Sequence, residues 1–154
     1  MRRIGIVIAT GLLLLTVGAA PALAAGPTQV VIVATHTGVG PEDVATFQAG
    51  GAGLCPTGSV YVVDGMVTGG PSAHKNFLVI QAFVCDAAAG FTNDDYFIVR
   101  IQAHTTIGML NDYGTWQVID GGGAFARLQG TGTLVGIYPE TGDGITDYFS
   151  GSLK

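Results

Sequence analysis

The sequence predicts an all-β domain behind an N-terminal leader, and three observations support this prediction. Short runs rich in Val, Ile, Thr, Phe and Tyr recur along the chain, and these residue types favour strands. The 25 glycines follow no period of three, as a collagen would require, and instead separate these runs. Helical periodicity is nearly absent after the leader. Together these features indicate short strands joined by tight turns.

The first 24 residues have the pattern of a secretory signal peptide. Arg2 and Arg3 precede an apolar run over residues 4–17, and Ala22-Leu23-Ala24 supplies a small-residue cleavage site. Cleavage after Ala24 leaves residues 25–154 as one domain. We therefore expect a secreted, extracellular protein.

Eight strands are predicted in the domain, each from a run of β-branched and aromatic residues. The predicted strands are 28–35, 44–49, 59–67, 75–85, 95–104, 115–119, 131–138 and 145–150.

Turn-forming residues lie between the predicted strands, because Gly, Pro, Asn and Asp adopt the backbone conformations that turns need. The predicted turns are at 40–41, 55–58, 69–71, 92–94, 111–114, 120–123 and 141–144. Single helical turns are expected at 41–44, where Pro41 suits a first helical position, and at 123–126.

Two strands differ in how their apolar residues are distributed. The run 76–85 is apolar on both faces, so we expect it to be covered on both sides. In the run 96–104, Phe97 and Val99 share one face, whereas Arg100 and His104 share the other. Such strands fit a sandwich or a closed barrel, and periodicity alone does not choose between them.

Composition and charge exclude several partners. The chain has 11 acidic against 6 Lys and Arg residues and a formal net charge of −5, and two of the basic residues lie in the leader. Without a basic stripe, binding to nucleic acid or to an anionic membrane surface is not expected. After the leader, no run approaches the roughly 18 apolar residues of a spanning helix, so no membrane span is expected after signal cleavage and the mature domain is predicted to be soluble.

Two cysteines, Cys55 and Cys85, follow the leader. In an exported chain the default interpretation is one disulfide, which would stabilise the fold by roughly 3 to 4 kcal/mol in the chain-entropy model. A pair without nearby His is a poor zinc site, and there is no C-x-x-C for redox chemistry. No cysteine directly follows the signal peptide, which argues against a lipid anchor.

The C-terminal third carries a glycine-rich motif, WQVIDGGGAFARLQGTGT over residues 116–133, followed by DYFSG at 147–151. This combination resembles the bacterial secreted relatives of the allene oxide cyclase and dirigent barrel superfamily. There, Trp-x-Val-x-Gly-Gly-Thr-Gly-Ala-Tyr-Ala-x-Leu-x-Gly-x-Gly-Thr precedes a last strand with Asp-x-Tyr-x-Gly. The segments 55–58 and 83–86 also look like the paired-cysteine signature of the exported members. The likeness covers roughly residues 45–151, and Gly122-Gly123 departs from it by replacing Thr-Gly.

The resemblance implies an eight-stranded antiparallel β-barrel with an apolar interior. Plant members act on small hydrophobic molecules by shaping a reactive conformer, and the plant cyclases are said to use confinement with a carboxylate and bound water. No local motif maps those groups onto this chain, so no catalytic residue is carried over. Plant members form trimers or dimers, so a homo-oligomer is an open expectation. Independently, the turn at 120–123 allows Phe125 to plug one end of the core.

Motifs for known chemistry are weak. His36, His74 and His104 lack the spacing of metal ligands, so no metal site and no cofactor are predicted. No Gly-x-Ser-x-Gly elbow appears. The acidic pairs 42–43, 94–95 and 143/147 are expected at turns on the surface, and the segment 143–147 lacks the spacing of a calcium loop.

Aromatic residues offer the best ligand hypothesis. Tyr61, Tyr96, Trp116, Tyr138 and Tyr148 either ring a barrel mouth that grips a flat ligand or cap the core with their polar atoms in water. The predicted ligand-binding residues are Tyr61, Asp64, Tyr96, Arg100, His104, Trp116 and Tyr148. For Arg100 and His104 the alternative is that both simply face solvent.

Three functions remain open. The first is a non-enzymatic exported barrel that binds a small hydrophobic molecule or a partner surface, and a completely filled interior would count against its ligand version. The second is an isomerase or cyclase, which needs an ionisable group inside the cavity. The third is a structural or protective protein without a pocket.

Overall fold

The computed structural model describes residues 26–38, 44–51, 53–69, 74–106, 108–140 and 143–154, so the predicted signal peptide lies outside the described residues. These residues form a closed antiparallel barrel in which each strand pairs with the next along the chain and the last strand pairs with the first. The predicted all-β class and the eight-stranded closed barrel are confirmed. Closure leaves no strand edge unpaired between the first and last strands.

The strands agree with the sequence-based predictions to within a few residues at most ends. They are β1 (Thr28–His36), β2 (Val44–Gly50), β3 (Thr57–Thr68), β4 (His74–Cys85), β5 (Tyr96–Thr106), β6 (Asn111–Gly122), β7 (Gly130–Ile137) and β8 (Ile145–Leu153).

The largest difference concerns β6, which begins four residues earlier than predicted. The turn predicted at 111–114 is wrong, because residues 112–114 pair with both neighbouring strands. Asp112, for example, lies opposite Thr105 of β5 and Gly136 of β7. Residues 57–58 and 120–122, also predicted in turns, belong to β3 and β6. Pairing on both sides supplies main-chain hydrogen bonds that outweigh the local turn preference.

The short helical turns are partly as predicted. The turn expected at 123–126 is a 3-10 helix over Gly123–Phe125, and the turn over residues 92–94 is also present. A second 3-10 helix, Ala87–Ala89, was not predicted. The helical turn predicted at 41–44 falls on residues outside those described, except for Val44, which begins β2.

The prediction that β4 is covered on both faces is wrong for its outer face. Leu78, Ile80, Ala82 and Val84 point away from the interior and are half-buried rather than covered. In a barrel the outer face meets solvent, so neighbouring side chains on β3 and β5 give these residues only partial shelter.

One end of the barrel, which we call the closed end, is packed with aromatic rings. Phe83 stacks on Phe97 with ring centroids 4.9 Å apart, and Phe47 meets Phe83 edge-on at 5.3 Å. Phe125 is 4% exposed and lies edge-on to Phe97 at 5.8 Å, which confirms the predicted plug. Phe91 stacks on Phe125 from outside at 5.8 Å. Such ring pairs add stability beyond the area they bury.

The predicted disulfide also lies at the closed end. Cys55 and Cys85 are bonded, with their Cα atoms 5.8 Å apart, and both are buried. The first residue of β1 and the last of β8 meet there as well, since Thr28 is paired with Leu153. Within the described residues, no helix is long and apolar enough to cross a membrane.

Candidate functional site

A cavity of about 420 Å³ occupies the opposite end, which we call the open end, where β1, β3, β5 and β7 finish. Its apolar walls are inward-facing side chains of successive strands. The main apolar lining residues are Val62, Val67, Phe77, Val79, Ile101 and Leu134. It reaches the surface beside Met66 and Val67, which are 54% and 60% exposed. Its volume lies within the range of small-molecule sites, about 300 to 1,000 Å³.

A register shift in β3 shapes one wall. The pairing of β3 with β4 slips between Val62 and Asp64, so one extra residue is accommodated there. Such a bulge bends and twists its strand. Beyond the bulge, Gly65 and Val67 lie opposite Val79 and Phe77, and all four line the cavity.

The remaining wall is polar. His36, Gln81, Asp112, Tyr138 and Asp147 line the cavity, and we call this set the polar arc. Four of them are each less than 8% exposed: His36, Gln81, Asp112 and Asp147. The acidic pair 143/147 was predicted at a surface turn. This prediction is wrong for Asp147, which lies in the inward register of β8 between Ile145 and Phe149.

A glycine brings the two carboxylates of the polar arc close together. Gly136 of β7 pairs with Asp112 on one side and with Asp147 on the other. A Cβ atom at Gly136 would lie 2.8 Å from Asp147 Oδ1, 2.7 Å from Ile145 Cδ1 and 3.4 Å from Asp112 Cβ. The absent side chain therefore leaves the space into which both acidic side chains project.

Hydrogen bonds link the members of the polar arc. Tyr138 Oη donates to Asp112 Oδ2 at 2.7 Å. His36 Nε2 lies 3.5 Å from Gln81 Nε2 and 3.7 Å from Asp147 Oδ2. In the first contact, Gln81 Nε2 donates, so His36 Nε2 must be unprotonated to accept the hydrogen bond. In the second contact, His36 Nε2 must carry a proton to pair with the carboxylate. The two contacts thus favour opposite protonation states of one nitrogen.

Two acceptor atoms of the polar arc are unsatisfied. Among the described residues, Gln81 Oε1 and Asp112 Oδ1 are buried and have no hydrogen-bond partner. Buried polar atoms are normally paired, since leaving one unpaired costs about 1 to 3 kcal/mol.

Burial also changes the proton affinity of these groups. The pKa of Asp147 is raised to about 7, mainly by burial and further by the charge of Asp112. Burial, followed by the hydrogen bond to Asp112, raises the pKa of the Tyr138 hydroxyl well above its usual range. Near neutral pH, both the protonated and the ionised form of Asp147 are therefore populated.

In the part of the chain that the structure describes, no group of three or more His, Cys, Asp or Glu side chains is placed to hold an ion.

The residues predicted to bind a ligand lie elsewhere. Tyr61, Asp64, Arg100, His104 and Tyr148 are exposed on the outside of the barrel. Arg100 donates to Gln117 Oε1 at 2.8 Å, and Asp64 Oδ1 accepts from the Gly65 backbone amide at 2.8 Å. None of the five lines the cavity, and the structure does not bring them together there.

The other two predicted residues are more buried. Trp116 is 3% exposed in the core, where its Nε1 donates to the Ser150 carbonyl at 3.3 Å. Tyr96 is half-buried and packs against the backbone at Gly122. Neither lines the cavity, and a role in ligand binding for any of the seven stays a prediction.

The polar arc left a sequence signal that can be recognised with the structure in hand. Gln81 interrupts the inward series Phe77, Val79, Phe83 of β4, and His36 ends the inward series of β1. A polar residue in the buried register of a strand is unusual, and such departures from an apolar core are expected at functional or strained sites.

Comparisons of the chain with protein-family models, with curated proteins and with solved structures found no match.

Proposed function

We propose that this protein is an exported, non-enzymatic barrel that binds one small apolar molecule in the cavity of its open end. The observation that carries the proposal is the cavity itself, about 420 Å³ in volume, with apolar walls and a buried polar arc. Small-molecule sites have this composition, in which apolar surface supplies affinity and a few polar groups fix orientation. The unfilled interior favours this function over a purely structural one.

Export is part of the proposal. The leader pattern of the first 24 residues supports it, and so does the buried disulfide between Cys55 and Cys85. Disulfides persist in oxidising compartments and are rare in the cytosol. Membership of the allene oxide cyclase and dirigent superfamily is likewise proposed, on the glycine-rich motif and on the barrel architecture that the resemblance implies.

Titration with an uncharged naphthalene dye, prodan, tests the binding function. Its fluorescence reports transfer from water into an apolar site. We expect saturable binding to the native protein and its loss in Val79→Phe, because Val79 lines the cavity and a phenyl ring would fill it. Ile80→Phe is the matched control, since the next residue of β4 points outward.

If prodan fails to bind the native protein, or if Val79→Phe binds it as tightly as Ile80→Phe, the cavity is not the binding site. Native mass spectrometry on protein secreted by its own host complements this test, because a retained molecule would identify the natural ligand.

A second candidate function is an isomerase or cyclase that acts on a small hydrophobic substrate in the same cavity. The observation that favours it is an ionisable cluster inside the barrel, with Asp147 poised near neutral pH by burial and by Asp112. Incubating the retained molecule with the protein in deuterium oxide tests it. Deuterium incorporated at carbon by the native protein but not by Asp147→Asn would favour catalysis, whereas an unchanged molecule favours binding alone.

A further inference from the structure

Two buried acceptors of the polar arc have no hydrogen-bond donor. Gln81 Oε1 and Asp112 Oδ1 are acceptors without a partner in the described part of the chain, and their residues are only 4% and 5% exposed. Both residues line the cavity. The single proton of the Tyr138 hydroxyl is already directed to the other carboxylate oxygen of Asp112. A molecule that enters the cavity therefore meets buried oxygens that need donors.

The polar arc also lacks positive charge. Asp112 and Asp147 contribute two carboxylates, whereas the described lining residues include no Lys or Arg. His36 is the cationic group within reach when protonated, with its Nε2 atom 3.7 Å from Asp147 Oδ2. Buried charges need a partner of opposite sign. When both carboxylates are ionised and His36 is protonated, this wall still lacks one positive charge.

We propose that the cavity selects apolar molecules that end in a protonated amine. The inference rests on the proposed binding function and adds the chemical class of the ligand. An ammonium group brings three N–H donors for the two unpaired acceptors and one positive charge for the carboxylates, and the hydrocarbon part lies against the apolar walls. A hydroxyl brings one donor and no charge. A carboxylate brings acceptors and a further negative charge to a wall of acceptors.

Binding of such a ligand should depend on pH. The titratable groups that face the site are His36, Asp112, Tyr138 and Asp147. Below neutral pH, Asp147 takes up a proton, because burial and the charge of Asp112 raise its pKa to about 7. The loss of this negative charge weakens attraction for an ammonium group. An uncharged ligand lacks this dependence on charge.

Calorimetric titration of the disulfide-bonded protein with octylamine, octanol and octanoate tests the ligand class at pH 8. The three molecules share one hydrocarbon chain and differ in the head group. We expect octylamine to bind about tenfold more tightly than octanol, since its hydrogen bonds are charge-assisted, and octanoate to bind most weakly. Between pH 8 and pH 5, the affinity for octylamine should fall by about threefold or more while that for octanol stays constant.

Two cavity variants and one control locate the effect. Asp112→Asn and Gln81→Leu should each reduce the preference for octylamine over octanol to less than about threefold, because each removes one acceptor of the polar arc. Asp120→Asn should keep the full preference, since Asp120 lies exposed on the same strand and does not line the cavity. Circular dichroism checks the fold of each variant, and the ranking on the native protein decides the inference if a variant unfolds.

The outcomes separate the two proposals. Equal or tighter binding of octanoate than of octylamine overturns the amine preference and leaves the binding function intact. Binding of none of the three molecules, together with no binding of prodan, overturns both. Unchanged selectivity in folded Asp112→Asn and Gln81→Leu places the preference outside the polar arc and also overturns the inference.

Discussion

The two ends of the barrel are built from different chemistry. The closed end buries stacked and edge-on phenylalanine rings beside a disulfide, and its inward positions are apolar. The open end buries two carboxylates, a histidine and an amide around unfilled space. Within one set of eight strands, aromatic packing and the disulfide are concentrated at one end, and the buried polar atoms without a partner lie at the other.

Truncating one aromatic residue at each end gives the largest expected contrast. Phe83 of β4 is fully buried between other rings, so Phe83→Ala should lower the free energy of unfolding by about 3 to 5 kcal/mol. Phe77 lies on the same strand but borders the cavity and is half-buried, so Phe77→Ala should cost about 1 to 2 kcal/mol. Urea unfolding measures both, and equal losses would contradict the division between the ends.

Removing the disulfide weakens the closed end next. The double variant Cys55→Ala/Cys85→Ala should lower the free energy of unfolding by about 3 kcal/mol. Without the disulfide, the unfolded chain regains the conformational entropy of the loop between two cysteines that are 30 residues apart. The same variant should bind prodan as the native protein does under folding conditions. Loss of dye binding in a folded double variant would mean that the two ends are not independent.

Acid should act on the two ends in opposite directions. The raised pKa of Asp147 means that the folded protein binds more protons than the unfolded chain between about pH 4 and pH 7. Stability contributed by this group is therefore present at low pH and lost as pH rises through 7. We expect the native protein to lose on the order of 2 kcal/mol between pH 5 and pH 8 relative to Asp147→Asn, as measured by urea unfolding.

Asp95 at the closed end provides the opposite case. Its carboxylate accepts hydrogen bonds from the backbone amides of Ala124 and Thr92, which lower its pKa. Its stabilising contribution is present above the unfolded pKa of about 4 and is lost as pH falls through the lower folded pKa. Asp95→Asn should therefore leave the pH dependence of the free energy of unfolding unchanged between pH 5 and pH 8. A change like that of Asp147→Asn would contradict these assignments.

Two glycines of the open end give the smallest effect and the finest test of the cavity. Gly136→Ala should lower the free energy of unfolding by about 1 to 2 kcal/mol and weaken prodan binding, because its Cβ would press on Asp147 and Ile145. Gly65→Ala, which meets no atom within 4 Å, should change stability by less than about 0.5 kcal/mol. Urea unfolding and dye titration compare the two variants, and equal behaviour would show that the space beside Gly136 is not critical.

The architecture was largely predictable because the barrel repeats a simple alternation. Phe97 and Val99, for example, occupy alternate positions of β5, and this alternation alone places them in the core. The disulfide followed from a lone cysteine pair behind a leader pattern. The start of β6 was not predictable in this way, because Asn111-Asp112-Tyr113-Gly114 has strong turn preferences that only the two neighbouring strands overcome.

The site was harder to predict for a related reason. Most of the residues that sequence reasoning selected, such as Arg100 and His104, lie at outward positions, because polar side chains are easiest to recognise there. Tyr138, which was named among the candidate mouth aromatics, does line the cavity. Asp112 and Asp147 look like turn residues, and their burial depends on pairing with Gly136, which lies more than 10 residues from Asp147 along the chain and more than 20 from Asp112. Contacts between distant strands are not visible in local periodicity.

The pairing of Thr28 with Leu153 places both ends of the barrel's chain at the closed end. A tag, a fused domain or a surface linker joined to either end would therefore extend away from the cavity. The protein can be immobilised through such a linker with its mouth facing the solution, so a ligand screen on a solid support would sample an unobstructed cavity. A short peptide joining the two ends would also yield a circular permutant in which new chain ends are opened elsewhere.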